Sequence, residues 1–346
     1  MGTPEAAREA ACEAAREPPA SRTDGAPMPP RTLTLAFVMD PIQGIDITKD
    51  TTFVLMLEAQ RRGHRLLYLE PRDLSVDDGR VTARVTPLTL RREAGRHAEL
   101  GAPRTLALDE EVDVVFQRKD PPVDAEYVIA TQLLSLCRRA RVLNRPEGIL
   151  AANEKLYALH FPELMAETRV TRSIPELVDF LAKLGGEMIV KPLGGKGGEG
   201  IFHVRHDDRN LFSILETATR FGSEWTMAQR YLPEVRGGDK RILLLDGEPI
   251  GALLRVPPEH ETRANLHVGG RAVRSSLDAN DLRIVERIAP RLQRDGLFFV
   301  GIDVIGGRLT EINVTSPTGV QEINALEGGT LETRILERVE RLADQG

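Results

Sequence analysis

Cysteine is almost missing from this sequence: among 346 residues there are two, Cys12 and Cys137. They lie far apart, and Cys12 falls in what reads as a loose tail. A disulfide framework is excluded and a reducing compartment is expected. Long apolar runs are missing too. No stretch approaches the ~18 apolar residues of a membrane-spanning helix, so no membrane partner is expected. There is no surplus of positive charge either. The 46 Lys and Arg against 52 Asp and Glu leave a net charge of −6, whereas a nucleic-acid partner calls for a basic face. The seven histidines form no metal-ligand spacing, and nothing resembles a nucleophile elbow or a Ser-His-Asp arrangement. Of the histidines only His267, on a long polar loop, is a candidate for a site. What is left, with 41% hydrophobic and 28% charged residues, is a globular enzyme or binding protein expected in the cytoplasm. It is long enough for two or three packed domains.

Residues 1–30 stand apart. "AAREAACEAARE" has helical character, but "PPASRTDGAPMPPR" is rich in proline and turn formers, with no periodic apolar residues. Glu5, Glu9, Glu13 and Glu17 argue against a transit peptide, and no apolar segment of secretory type is present. The segment reads as disordered and dispensable, with Met28 a candidate functional start.

From Leu33 the pattern is α/β. "LTLAFV" reads as a buried strand, "TTFVLMLEAQRRG" as an amphipathic helix stopped at Gly63, and "HRLLYLE" as the next strand. "LSVDDGRVTARVTPL" reads as a hairpin around Asp78-Gly79. The strand "VDVVFQ" runs into "RKDPP". A helix over 124–140, the strand "RVLN" and a short helix near 146–152 complete an open, mostly parallel sheet. After Asn153 a small α+β unit follows: "TRVTR", a helix over 175–184, "EMIVKPL", "IFHV" and "WTMAQRYL". Then come a hairpin "KRILLLDGEPIGALLRV" turning at Asp246-Gly247, a long loop 257–271 of the kind that serves as a lid, a helix over 278–293, a second hairpin over 301–314 and a C-terminal helix from about 330.

"KPLGGKGGEGIFHV" contains Gly194, Gly195, Gly197, Gly198 and Gly200, and literally spells G-x-G-x-x-G. The dinucleotide fingerprint needs a helix after it to hold the pyrophosphate. Here a strand follows, so the loop reads as a hairpin tip. Lys196 is followed by Gly, which also excludes a Walker loop. A glycine flap that lays backbone N–H groups over nucleotide phosphates and a floppy surface turn both remain. Lys191, just before the flap, favours the first.

"GIDVIGGRLTEINV" carries two carboxylates and an amide, Asp303, Glu311 and Asn313. Alternation puts Glu311 and Asn313 on one face. A two-residue turn at Gly306-Gly307 sends Asp303 to the other face; a three-residue loop, or a bulge beside a tighter turn, brings all three together. The second geometry is expected; against the alternative of an exposed acidic hairpin stand the apolar flanks "FFVGI" and "INV", and an unpaired buried carboxylate pair is too costly. The three then form an oxygen-only site for Mg²⁺, completed by ATP phosphates. Basic residues lie in the same elements: Lys155, Lys191, Lys240, Arg241, Arg255, Arg263 and Arg271. Any one taken singly reads first as a solvated surface charge. Asp40, Lys49, Asp50 and Thr52 fall at the first strand–helix junction, where a small substrate can rest.

Flap, preceding lysine, Asp…Glu-x-Asn hairpin and arginine-bearing loop together resemble the ATP-grasp ligases, and within them the prokaryotic-type glutathione synthetases. "VMDPI", "RKDPP", "NEKL", "KPLGGKGG", "AQRYLP", "GDKR", "ETRANL" and "FVGIDVIGGRLTEINVTSPTG" fall in that family's order. The resemblance covers nearly everything from Leu33 onward; residues 1–30 depart from it. It implies an N-terminal Rossmann-like domain (31–152), a central ATP-grasp lid domain (153–235) and a C-terminal ATP-grasp domain (236–346). It also implies ATP as co-substrate with Mg²⁺ or Mn²⁺, γ-glutamylcysteine and glycine as substrates, and a homotetramer. By the same resemblance Lys155 and Lys191 bind phosphates, and Gln229, Arg230, Tyr231 and Leu232 form the adenine hinge. Asp239 helps hold the nucleotide, Asp303, Glu311 and Asn313 hold the metal, and Arg241, Arg255 and Arg263 are catalytic. Asn265 and Arg271 face substrate. The alternatives are another ATP-grasp carboxylate–amine ligase and a nucleotide-binding regulator without catalysis.

Overall fold

The computed structural model describes residues 31–195, 197–258 and 269–345. The expectations for residues 1–30, for Lys196, and for most of the 257–271 loop, Arg263, Asn265 and His267 included, lie outside the described residues.

The first part of the chain runs β1 (Thr34–Val38), α1 (Thr51–Arg61), β2 (Arg65–Leu69), β3 (Leu74–Asp77), β4 (Arg80–Leu90), β5 (Ala98–Leu100), β6 (Arg104–Ala107), α2 (Leu108–Glu111), β7 (Val114–Gln117), α3 (Ala125–Leu134), β8 (Arg141–Leu143) and α4 (Pro146–Ala151). The sheet order is β3-β4-β2-β1-β7-β8, with β5 and β6 both on β4. Only its centre, β2-β1-β7-β8, is parallel. The expected mostly parallel sheet is corrected here: β3 to β6 are joined by turns too short for a crossover helix, so they can pair only antiparallel. All five residues of β1 are buried, as befits a central parallel strand covered on both faces. Helix α3 stops at Leu134, well short of the expected residue 140. The Asp109 carboxylate accepts from the N–H groups of Arg138, Arg139 and Ala140 at 2.9 to 3.0 Å, which gives that backbone a partner outside a helix and turns it into β8.

The second sheet contains β9 (Thr168–Thr171), α5 (Ile174–Lys183), β10 (Glu187–Pro192), β11 (Phe202–Arg205), α6 (Leu211–Thr219) and β12 (Thr226–Arg230). Its order is β11-β10-β12-β9, antiparallel throughout. Helix α6 is not anticipated by the sequence pattern. It lays Leu211 and Leu215 beside Leu177 and Phe180 of α5, over Met188 and Val190.

The third sheet, β15-β14-β13-β16-β17, is built from β13 (Asp239–Leu245), β14 (Glu248–Val256), β15 (Arg271–Arg274), β16 (Phe299–Ile305) and β17 (Arg308–Asn313). Three helices accompany it: α7 (Ala279–Arg294), α8 (Val320–Glu327) and α9 (Leu331–Asp344). Alternation along β13 sorts two cores. Ile242 and Leu244 pack with Ile284, Ile288 and Leu292 of α7. Leu243 and Leu245 share a cluster with Val320, Ile335 and the Phe53 region of α1, so one apolar layer spans the first and third sheets. Contact with α9 is why α1 is buried over most of its surface rather than amphipathic. Asn144 fastens the same junction: Nδ2 donates to Phe299 O and Val314 O at 2.9 and 2.7 Å, and Oδ1 accepts from Phe299 N at 2.7 Å.

Candidate active site

Strands β16 and β17 meet in a two-residue turn at Gly306 and Gly307, whose φ angles of +55° and +72° suit glycine. Such a turn alone would put Asp303 and Glu311 on opposite faces. The register prevents this: Val304 pairs with Leu309 but Asp303 pairs with Glu311, leaving Thr310 as a bulge. The Thr310 hydroxyl donates back to Asp303 O at 3.1 Å and pins that bulge. Gly301 pairs with Asn313, so Asp303, Glu311 and Asn313 share one face.

Opposite Asp303 on the neighbouring strand is Arg241. Its Nε and Nη2 donate to Asp303 Oδ1 and Oδ2 at 2.5 and 2.9 Å. Gly301 makes room, since a Cβ there would meet Arg241 Cδ at 3.1 Å and Pro317 Cβ at 3.2 Å. Arg255, cross-strand from Asp239, contacts Asp239 Oδ2 and lies 3.0 Å from Asp303 Oδ2. Two carboxylates and two guanidiniums thus form a buried, balanced cluster. Burial pushes the Asp303 carboxyl up, but Arg241 and Arg255 outweigh it and hold the group well below the usual range. Asp239 goes the other way. Burial and the nearby Asp303 raise its pKa to about 6 against the pull of Arg255, and its Oδ1 is buried without a partner among the described residues.

The donor set can be tested against a divalent ion. Asp303 Oδ2 already accepts from Arg241, Arg255 and Asn313 Nδ2, the last at 3.2 Å. Oδ1 accepts from Arg241 alone and keeps a lone pair. Asn313, donating through Nδ2, has its carboxamide oxygen left as acceptor. Among the described residues Glu311 makes only long contacts, from Oε1 to Lys191 Nζ at 3.7 Å and to Lys155 Nζ at 3.8 Å. These are hard oxygen donors with spare capacity, which fits Mg²⁺ or Mn²⁺. Among the described residues no group of three His, Cys, Asp or Glu side chains could hold a metal alone, so remaining ligands would come from phosphate or water.

Lys155 and Lys191 approach the hairpin from the second sheet's side. Lys191 Nζ donates to Thr310 O at 3.4 Å, and Lys155 Nζ to Gly195 O at 3.0 Å. Burial pulls the Lys191 pKa down, partly countered by Glu311. The glycine loop joins antiparallel β10 and β11, with no helix after it, and Gly197, Gly198 and Gly200 all have positive φ. The dinucleotide reading is thereby excluded. Beyond β12, the Tyr231 ring stacks on His203 with centroids 4.0 Å apart, while the Arg230 guanidinium is taken up by Glu167 at 2.7 and 2.8 Å.

One cavity of about 720 Å³ gathers these parts. Its wall includes Asp40, Lys49, Asp50 and Thr52 from the first part of the chain. From the second come Lys155, Lys191, Gly195, Gly197, Gly198 and the run Gln229–Leu232, and from the third Asp239, Arg241, Arg255, Asp303, Glu311 and Asn313. Gly194 and Arg271 are not on it. Asp40 is engaged by Lys119 at 2.9 Å and by Asp120 N at 3.0 Å. Asp50 caps α1 through Phe53 N at 2.6 Å, and burial raises its pKa. Three lining residues do not stand out in the sequence: Arg118 in "RKDPP", Glu154 in "NEKL", and Glu322. Glu154 accepts from Val314 N and from Thr315 N and Oγ1 at 2.9 to 3.2 Å, holding the chain beyond β17.

The family model for the N-terminal domain of prokaryotic glutathione synthetase matches residues 33–149, and the model for its ATP-grasp domain matches residues 154–328. The chain belongs to the prokaryotic glutathione synthetase family. Relatives named glutathione synthetase include one from Gloeobacter violaceus, 47% identical over 88% of this chain and 96% of that protein. Another, from Brucella melitensis, is 46% identical over 89% and 98%. Solved structures agree in fold. A D-cycloserine synthetase superimposes with a TM-score of 0.63 at 15% identity, over 90% of this chain and 99% of that one. A RimK domain ATP-grasp protein from Sphaerobacter thermophilus gives 0.58 at 16%, over 88% and 98%. As a glutathione synthetase family member with an ATP-grasp domain, the protein is an ATP-dependent ligase.

Proposed function

We propose that this chain joins the cysteinyl carboxylate of γ-glutamylcysteine to the amine of glycine, consuming ATP and giving glutathione, ADP and phosphate. A carboxylate resists amines because its leaving group would be oxide. Attack of a carboxylate oxygen on the γ-phosphorus, with ADP leaving, forms an acyl phosphate. The glycine amine then adds to its carbonyl, and the tetrahedral adduct loses phosphate and a proton to give the amide. The observation that carries this reading is the convergence of Lys155, Lys191, Arg241 and Arg255 with Asp303, Glu311 and Asn313 on one cavity.

In this scheme Lys155, Lys191 and the flap N–H groups hold the phosphates, and Gln229–Leu232 meet the adenine. Arg241 and Arg255, preset by Asp303 and Asp239, face the charge that develops on phosphoryl and carbonyl oxygens. Such preorganisation is the main resource in phosphoryl transfer. Asp303, Glu311 and Asn313 would hold Mg²⁺ or Mn²⁺, which when bound neutralises phosphate charge and aligns the transferring group. The loop 257–271 is assigned to covering the site, with Arg263 catalytic and Asn265 and Arg271 towards substrate, and Asp40, Lys49, Asp50 and Thr52 to the dipeptide. The chain divides for these tasks at about residues 152 and 235. A homotetramer in the cytoplasm is the proposed setting, where reducing conditions suit a thiol substrate. The test is ADP release by purified protein with ATP, Mg²⁺ and γ-glutamylcysteine, crossed with glycine, alanine and other amines. Glycine is expected to give the highest kcat/KM; release that ignores γ-glutamylcysteine would overturn the assignment.

A further inference from the structure

Arg118 follows β7, and its side chain is buried at 5% exposure on the wall of the cavity. All its close partners are neutral. Nε donates to Thr52 Oγ1 at 3.0 Å, Nη2 donates to Pro317 O at 3.0 Å, and the guanidinium carbon lies 5.6 Å from the Phe299 ring centroid. Lys155, Lys191, Arg230, Arg241 and Arg255 on the same wall each have a carboxylate within 4 Å. Among the described residues Arg118 has none, and the only other such cation on the wall, Lys49, is exposed. Burial lowers the Arg118 pKa, against the more distant Asp50 and Asp120. A buried cation without a counter-ion among the described residues is costly unless a ligand supplies one.

Two further observations point the same way. Strand β1 lies between β2 and β7, so the chain runs to one side of β1 and then to the other. Ligands bind beyond the carboxyl ends of parallel strands at such a switch point, which is where Arg118 stands. On the same cavity wall, in the first turn of α8, Glu322 has a buried Oε2 without a hydrogen-bond partner among the described residues. A guanidinium without a carboxylate and a carboxylate oxygen without a donor, on one wall and counted among the described residues, suit a ligand that brings both opposite charges.

We propose that Arg118 receives the α-carboxylate of the γ-glutamyl residue and that Glu322 takes its α-ammonium. The inference rests on the proposed function: γ-glutamylcysteine has two carboxylates, and the reacting one must lie where the phosphoryl group arrives, beside Lys191, Arg241 and Arg255. The second needs its own cation. Arg118, held by Thr52 and Pro317, then selects the dipeptide by the amino-acid end that takes no part in the chemistry.

The test compares γ-glutamylcysteine with 4-aminobutyrylcysteine, which lacks only the α-carboxylate, in the wild type and in Arg118→Met and Arg118→Lys. Loss of one charge-assisted fork should cost about 100-fold in kcat/KM. The wild type is expected to lose that factor on the truncated dipeptide, and Arg118→Met to lose it on γ-glutamylcysteine. The two losses should not multiply, KM for ATP should not move, and Arg118→Lys should recover part of the activity. Glutarylcysteine, which lacks only the α-amino group, should show the same non-additivity with Glu322→Gln. ADP-dependent thermal stabilisation checks that each variant folds. If Arg118→Met does not fold, the wild type's preference between the two dipeptides and the Arg118→Lys variant decide. A wild type that uses both dipeptides within threefold, or losses that multiply, overturns the role of Arg118 while leaving the proposed function standing. A wild type inactive on γ-glutamylcysteine removes the proposed function, and this inference with it.

Discussion

Replacing Asp303 by asparagine keeps the shape of the side chain and removes its charge, and the structure separates what this costs in stability from what it costs in rate. Asp303 is 3% exposed and neutralises Arg241 at 2.5 and 2.9 Å and Arg255 at 3.0 Å. After the substitution, two buried guanidiniums face Asp239 alone. Breaking a buried pair from one side costs about 3–5 kcal/mol, and the remaining Asp239 charge offsets part, so about 3 kcal/mol is expected. In a chain of this size that is a fall in Tm of about 4–5 °C. Glu311→Gln provides the contrast. Glu311 is about one-fifth exposed and its lysine contacts are 3.7 and 3.8 Å, so its charge contributes about 1 kcal/mol or less to stability. Both variants remove a charged oxygen from the place where phosphoryl charge is handled, and both should lose at least about 100-fold in kcat. Differential scanning fluorimetry and a coupled ADP assay read the two effects. An Asp303→Asn protein that melts with the wild type would refute the buried ion-pair argument. A Glu311→Gln protein with wild-type kcat would refute the phosphoryl site.

Other expectations follow from the same geometry. Chelation of divalent ions should abolish ADP release without unfolding the protein, and added Mg²⁺ should restore it; turnover in excess chelator would remove the oxygen site from the chemistry. Asn144→Ala leaves three buried backbone groups at the junction of the first and third sheets unpaired, at a cost of about 2–4 kcal/mol by urea unfolding; a change below about 0.5 kcal/mol counts against that junction. Asp239, with its pKa raised to about 6 from an ordinary 3.8, binds a proton more readily in the folded chain than in the unfolded one. Its contribution to stability therefore grows as pH falls from about 6 towards 3.8. Asp303, with its pKa lowered, acts oppositely, and only below 3.8. Urea unfolding should thus show the wild type gaining on Asp239→Asn between pH 7 and pH 5, and a gap that stays constant or narrows would contradict the raised value.

Much of the site is legible in the sequence because its groups are close along the chain. Asp303, Glu311 and Asn313 occupy one hairpin, so period-two alternation reduces their geometry to a single question, turn or bulge. Lys191 and the glycine flap adjoin one another, and the strand after the flap decides against a dinucleotide fold. What escapes depends on partners far along the chain. Arg118 sits in "RKDPP", one of the motifs that carry the family resemblance. That its charge goes unanswered becomes visible only when Thr52 and Pro317, 66 and 199 residues away, are seen to surround it. Arg241 reads as a catalytic cation, but its bidentate lock on Asp303 is a cross-strand register fact. Helix α3 is overrun because its stop signal, Asp109, lies outside it. The antiparallel half of the first sheet is under-read because residues 98–107 show no strong alternation.

The bulge at Thr310 constrains how this hairpin can vary. Inserting or deleting one residue between Asp303 and Glu311 would swap inside for outside along everything that follows, sending Glu311 and Asn313 into the apolar layer beneath the sheet and turning Leu309 and Ile312 outward. Length changes of two residues at the Gly306-Gly307 tip, by contrast, would leave the oxygens where they are. The loop tip is therefore free to lengthen in even steps only, and any single-residue change must be matched by gain or loss of the bulge itself.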